Sequence, residues 1–161
     1  MSTQTYLIAL GGNQRTRHGS PEATLRAAID GFPSDIRLVA LSRVIRSCPI
    51  GPSLRAYANA AAVIETDLFP PALLGALKAI ERAFGRRSGR RWGARPLDLD
   101  IIGWSGGIWA SPRLGIPHRA FRDRAFVLTP LTEIAPDWSD PVTHLTSRQL
   151  RARLDRKRPR A

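Results

Sequence analysis

The chain has 161 residues, 43% of them hydrophobic, with a formal net charge of +12 and a single cysteine. That length fits one domain, residues 1–161, with a proper core, and the lone Cys48, read as an inert packed thiol, excludes an intramolecular disulfide. The longest apolar runs, Tyr6 to Leu10 and Ala60 to Ile64, fall far short of the roughly 20 residues of a membrane helix, and no basic region precedes a cleavable apolar stretch, so a cytoplasmic protein with no membrane partner is expected.

The first predicted element is a buried strand, "TYLIAL", which stops at "GGN". Ser20 followed by Pro21 and Glu22 then signals a helix start for "PEATLRAAIDGF". "IRLVALSRVIRS", Ile36 to Ser47, reads as one long strand; the turn material "CPIGPS" follows, and "YANAAAVIET", Tyr57 to Thr66, is its returning partner. Leu73, Leu77, Ile80 and Phe84 mark the apolar stripe of a second helix ended by Gly85, after which "LDLDIIGW" alternates as a strand. The order βαββαβ predicts an α+β, ferredoxin-like antiparallel sheet with both helices on one face. Beyond it, "GGIWASPRLGIPHRAF" reads as turns with one short strand, and "RDRAFVLTPLTEIAP" and "TSRQLRARLD" as short helices in extra C-terminal segments.

A net charge of +12 calls for acidic partners, phosphate first among them. Lys78 and Lys157 are the only lysines, and arginine's planar fork suits phosphate oxygens, although a GC-rich genome would produce the same bias. Three clusters of arginine stand out: Arg82 to Arg95, Arg113 to Arg124, and a tail from Arg148 to Arg160 that reads as a solvated helix end or a frayed terminus.

Within "RWGARPLDLDIIGW" two aspartates share one strand face. Side chains alternate along a strand, so Asp98 and Asp100 point one way while Leu97, Leu99 and Ile101 point into the core. Neighbouring like charges in a strand are unfavourable unless a cation lies between or above them. A divalent metal or arginines would serve, and hard carboxylate oxygens suit magnesium, which takes one or two carboxylates and completes its shell with water and phosphate oxygens. The plain alternative is an exposed face balanced by surface arginines. Arg91 and Arg95 just upstream favour phosphoryl transfer, where developing negative charge needs stabilising. No Walker A motif and no dinucleotide fingerprint occur, and His18, His118 and His144 have no zinc-ligand spacing.

These motifs together resemble the 6-hydroxymethyl-7,8-dihydropterin pyrophosphokinases of folate biosynthesis. The resemblance is carried in order by "YLIALGGN", "CPIGP" with "YANAAAVIET", "LLGALKAIERAFGR", "RWGARPLDLDI" and "LGIPHRAFRDRAFVLTPLTEIAP". It implies the ferredoxin-like fold and transfer of the β,γ-pyrophosphate of ATP to the pterin hydroxymethyl group, releasing AMP, with two magnesium ions. By the same resemblance Asp98 and Asp100 are the metal ligands, Asp100 also positioning the attacking hydroxyl through an ion. Arg86 and Arg95 are expected to stabilise transition-state charge. Arg91, Arg113, His118 and Arg124 join Arg95 on ATP. Tyr57 and Phe126 would sandwich the pterin, with Asn59, Ser47 and Ile50 bonding its edge. Glu81 and Lys78 align near adenosine, though a solvated helix face explains Glu81 equally well.

Some residues depart from the family pattern. Gly12 stands for the usual serine, Ala94 for a proline, Phe69 for a serine that would cap the second helix, and Arg119 with Ala120 for Tyr-Asp or Pro-Arg. The loop "GPSLRAY" and the segment "GRRSGRRW" are each about one residue short, which leaves the register of Arg86, Arg87 and Arg90 open. Gly85 to Gly93 and "CPIGPS" are expected to be mobile lids that order over ATP. The competing readings are a nucleic-acid module, which lacks an RNP pattern of exposed aromatics, and a metal-dependent nuclease, which needs more acidic ligands. The expected partners are ATP and the pterin, with no nucleic acid, and the expected state is a monomer.

Overall fold

A computed structural model describes residues 2–47, 56–85 and 95–157. Its backbone is organised around β1, Gln4–Gly12, whose alternate side chains Tyr6, Ile8 and Leu10 enter one core while Leu7 and Ala9 face another. Strand β4, Tyr57–Thr66, runs antiparallel to it over its whole length, from Gln4 opposite Thr66 to Gly12 opposite Ala58. On the other side of β1 lies the edge strand β5, Asp98–Trp104. With β2, Ile36–Leu41, and β3, Ile45–Ser47, both pairing β4, the sheet order is β2-β4-β1-β5.

Helices α1, Pro21–Asp30, and α2, Pro70–Ala83, cover one face. Ser20 caps α1 by accepting the Ala23 N–H, whereas Phe69 gives α2 no side-chain cap, so that helix starts on its two prolines alone. Leu25, Ala28, Leu73 and Leu77 are buried against Tyr6, Ile8, Leu10, Leu99 and Ile101. The opposite face carries α3, Ala125–Ile134, and α4, Ser147–Lys157, which bury Val127, Leu128, Leu131 and Leu150 against Leu7, Ala61 and Ile102. A 3-10 turn at Phe121–Asp123 leads into α3. The extra C-terminal segments thus make a third layer on the ferredoxin-like sheet.

Two local expectations need correction. The run Ile36 to Ser47 is two strands, because the Ser42 hydroxyl, not a backbone carbonyl, takes the Ala61 N–H at 2.8 Å and interrupts the ladder. A register shift between Leu38 and Ala40 precedes the break. The turn-rich segment after β5 holds two short strands, β6, Trp109–Ser111, and β7, Leu114–Ile116, folded into a hairpin whose Trp109, Leu114 and Ile116 pack on the α2 side.

Candidate active site

Strand β5 separates the two sets of side chains as its alternation dictates: Leu99 and Ile101 enter the core under α1 and α2, and Asp98 and Asp100 stand on the opposite face. The same alternation puts Ile102 on the aspartates' side, where it packs in the α3 layer, at a bulge against β1 between Leu7 and Ile8. Cross-strand register defines what lies beside the carboxylates. Asp98 is opposite Gly11, which is opposite Asn59, which is opposite Ile45; Asp100 is opposite Ala9, which is opposite Ala61. The floor between the aspartates on β5 and the polar groups of β4 is therefore made of glycine and alanine. A Cβ at position 11 would come within 3.3 Å of Asn59 Oδ1, so glycine keeps that row open.

The two aspartates are held differently. Arg95 Nη1 donates to Asp98 at 3.3 and 3.4 Å, with the Asp98 side chain 18% exposed. Asp100 makes no side-chain hydrogen bond or ion pair among the described residues; its charge acts on His118. The His118 backbone N–H bonds the Ile102 carbonyl at 3.1 Å, which hangs its loop on β5. Its Nδ1 accepts the Ala120 N–H at 3.1 Å, so the neutral ring carries its proton on Nε2. Burial lowers the imidazole's pKa below the ordinary value, Asp100 opposes that, and Arg124 and Arg119 reinforce it. Arg124, at the start of α3, lies over Phe126, its guanidinium carbon 5.7 Å from the ring centroid.

On the other flank, Asn59 is 5% exposed and its Nδ2 donates to Ser47 Oγ at 2.7 Å. Ser47 is paired with Tyr57 across β3 and β4, so Ser47 fixes the amide that follows Tyr57 by two residues. Helix α3 packs across β4 and β3, and half-buried Phe126 sits in its first turn. Tyr57, Asn59, Ser47, Asp98, Asp100 and Phe126 thus belong to one side of the sheet. Arg113 is elsewhere, exposed in the β6–β7 turn. Arg86, Arg91 and Ile50 lie outside the described residues, as do Cys48 and most of the two expected lids.

Reading Glu81 as a solvated helix residue is overturned. It is 1% exposed, and its Oε1 accepts the Leu99 N–H at 2.8 Å while Lys78 pairs with it at 3.2 Å. It grips β5 midway between the two aspartates. Asn13, Gly11 and Gly12 also gain roles that single-residue reading did not assign. Asn13 is 3% exposed and bonds Arg95 in both directions; the only sequence signal was a polar residue directly after a strand-ending glycine pair.

Two paired carboxylates suit magnesium by their hard oxygens and their number, since that ion needs few protein ligands. No group of three or more His, Cys, Asp or Glu gathers as a metal site among the described residues.

An antiparallel α+β sandwich with paired carboxylates, arginine and histidine at one end of the sheet, and no P-loop, has the equipment of a nucleotide-dependent phosphoryl-group transferase. The model of the 7,8-dihydro-6-hydroxymethylpterin-pyrophosphokinase (HPPK) family matches residues 7–136. The chain is 42% identical over 137 residues to the 2-amino-4-hydroxy-6-hydroxymethyldihydropteridine pyrophosphokinase of Pseudomonas aeruginosa, covering 83% of this chain and 82% of the relative. To the Haemophilus influenzae protein of the same name it is 40% identical over 156 residues, covering 95% of each. Among solved structures, an HPPK-DHPS in complex with substrates superposes with a TM-score of 0.70 at 13% identity, over 94% of this chain and 43% of that one, a likeness of fold. The chain belongs to the 7,8-dihydro-6-hydroxymethylpterin pyrophosphokinase family, and it is an ATP-using pyrophosphokinase of folate biosynthesis.

Proposed function

We propose that residues 1–161 act as a single cytoplasmic pyrophosphokinase domain and as a monomer, and that the reaction runs at the β1–β4–β5 end of the sheet. The hydroxymethyl oxygen of 6-hydroxymethyl-7,8-dihydropterin attacks the β-phosphorus of ATP; an O–P bond forms, the bond to the oxygen shared with the α-phosphate breaks, and AMP leaves. The observation that carries this reading is the row Asp98–Gly11–Asn59, which puts phosphate-side and pterin-side groups on one face with no side chain between them. Adjacent strands lie about 4.8 Å apart, so two strand spacings bring the groups within reach of one bound pair of substrates.

Asp98 and Asp100 would hold two Mg2+ ions. When bound, these ions supply neutralisation of the triphosphate and alignment of the attacking hydroxyl. Arg95, held by Asp98, places a guanidinium where negative charge grows. His118 is kept neutral by burial, with the Nε2 proton available as a donor to a phosphate oxygen. Arg124 adds charge beside it, and Arg113, Arg86 and Arg91 are assigned to the nucleotide by their places in the family motifs. Tyr57 and Phe126 bracket the pterin; Asn59, oriented by Ser47, reads its edge, and Ile50 completes that edge.

The test is a turnover assay with ATP, magnesium and the hydroxymethyl pterin, followed by separation of nucleotide products. Pterin-dependent AMP in equal amount to pterin diphosphate is expected. ADP would mean ordinary kinase chemistry, and salt-sensitive RNA binding without nucleotide turnover would mean a nucleic-acid module.

A further inference from the structure

We propose that Asn13 is a positioning residue for the reaction, acting through Arg95; the inference rests on the role given above to Arg95. Asn13 follows the last residue of β1 and is 3% exposed, and a buried amide is unfavourable unless its polar atoms are bonded. Its backbone N–H donates to the Arg95 carbonyl at 3.0 Å, and its side-chain Oδ1 accepts the Arg95 N–H at 2.7 Å. One residue thus holds the peptide groups on both sides of Arg95. A single bond would leave that backbone free to pivot; two opposed bonds do not.

Two further features act on the same point. A Cβ at Gly12 would stand 2.6 Å from the Pro96 carbonyl oxygen, closer than real Cβ atoms approach, so the missing side chain lets β1 lie directly against the Arg95–Pro96 turn. Pro96 in turn restricts its own φ and biases Arg95 to extended backbone. The guanidinium launched from this fixed base meets Asp98 at 3.3 and 3.4 Å. An arginine side chain has many rotamers, and anchoring its base from three directions lowers the ordering needed when the triphosphate arrives. An ordinary stitch between β1 and the entry to β5 would need only the ladder bonds from Gly11 to Asp98, which are already present. The side-chain bond to Arg95 goes beyond that ladder.

The test is a double-mutant cycle on the full chain, with kcat and both KM values measured for wild type, Asn13→Ala, Arg95→Ala and the double variant. Expected is a fall in kcat of roughly 10- to 100-fold for Asn13→Ala, the scale of a misplaced catalytic group, with both KM values within about twofold. In the Arg95→Ala background the same change is expected to do almost nothing further. Asn13→Asp, which keeps an acceptor for the Arg95 N–H, is expected to recover most of the loss. If Asn13→Ala does not fold, Gly12→Ala replaces it in the cycle with the same expectation, because it displaces the Arg95–Pro96 turn and leaves the Asn13 amide intact. Unchanged kcat in Asn13→Ala, or an equal loss in both backgrounds, overturns the positioning role while the Arg95 assignment stands. Unchanged kcat in Arg95→Ala overturns both.

Discussion

Asp98 and Asp100 are chemically alike and differently employed. Asp98 has Arg95 against it, and Asp100 faces the floor at Ala9 with no ion pair among the described residues. Each should be required for turnover: Asp98→Ala and Asp100→Ala are expected to lower kcat by at least about 10³-fold, or ~4 kcal/mol, in steady-state assays at saturating ATP and magnesium. Stability should separate them. Asp100→Asn removes one of two like charges on a strand face and should raise the unfolding free energy by ~0.5 kcal/mol in chelator-containing buffer, whereas Asp98→Asn also gives up the arginine and should not. A melt in which neither gains would mean that the pair is not frustrated in the metal-free protein. The aspartates were legible in the sequence because a charge alternating with leucine in a strand is conspicuous. Gly11, Asn13 and Glu81 were not. What they do depends on who stands opposite or above them, Asn59 across the sheet, Arg95 across the β1 end and Leu99 beneath α2, and no local pattern encodes that.

At the scale of elements, two buried carboxylates fasten layers to one another. Glu81 ties α2 to β5 through the outward Leu99 N–H of an edge strand, a donor with no further strand to pair with. Glu81→Leu leaves that donor unsatisfied and should cost about 2–3 kcal/mol in urea unfolding, while Glu81→Gln keeps an acceptor and should cost clearly less. Equal losses would show that the charge, through Lys78, matters more than the bond. Asp140 ties the segment before α4 to the 3-10 turn. It is fully buried and receives Arg122 Nε at 2.6 Å, Arg122 Nη2 at 2.9 Å, Thr143 Oγ1 at 2.7 Å and the Val142 N–H at 3.1 Å. Burial alone would raise this carboxyl's pKa; the bonds from Arg122, Thr143 and Val142 outweigh it and hold the pKa at about 2. The folded value lies below the ordinary one, so the stabilisation is present above about pH 4 and is lost as pH falls from there through about 2, roughly 2 kcal/mol in all. Asp140→Asn should flatten that part of the acid limb and cost about 3 kcal/mol at neutral pH; an unchanged limb would remove Asp140 from the account. The order βαββαβ was readable from periodicity and turn residues. The split at Ser42 was not, since the hydroxyl that breaks the ladder belongs to an otherwise regular alternation, and neither was the β6–β7 hairpin, whose strands are three residues each and hold by packing Trp109 on Trp104.

Across the whole molecule, the +12 charge is not spread evenly in its effect. Glu22, Glu65, Glu133, Asp137, Asp140 and Asp155 are each paired with an arginine, so much of the acidic complement is taken up in local ion pairs. Arg119 and Arg124, by contrast, form no ion pair among the described residues, and both act on His118. Those two charges beside His118, whose ring also feels Asp100, favour a polyanion there. Magnesium-bound ATP is anionic and the pterin is not, which makes salt a selective probe. Raising ionic strength from about 0.05 to about 0.5 M shortens the Debye length from roughly 14 to 4 Å, so KM for ATP should rise several-fold while KM for the pterin stays within about twofold. Arg124→Ala should raise KM for ATP at low salt and reduce its salt dependence, because one of the screened charges is already gone. Parallel salt dependence for the two substrates would instead mean that salt acts on the protein's conformation, and the surplus arginine charge would then have no part in gathering the nucleotide.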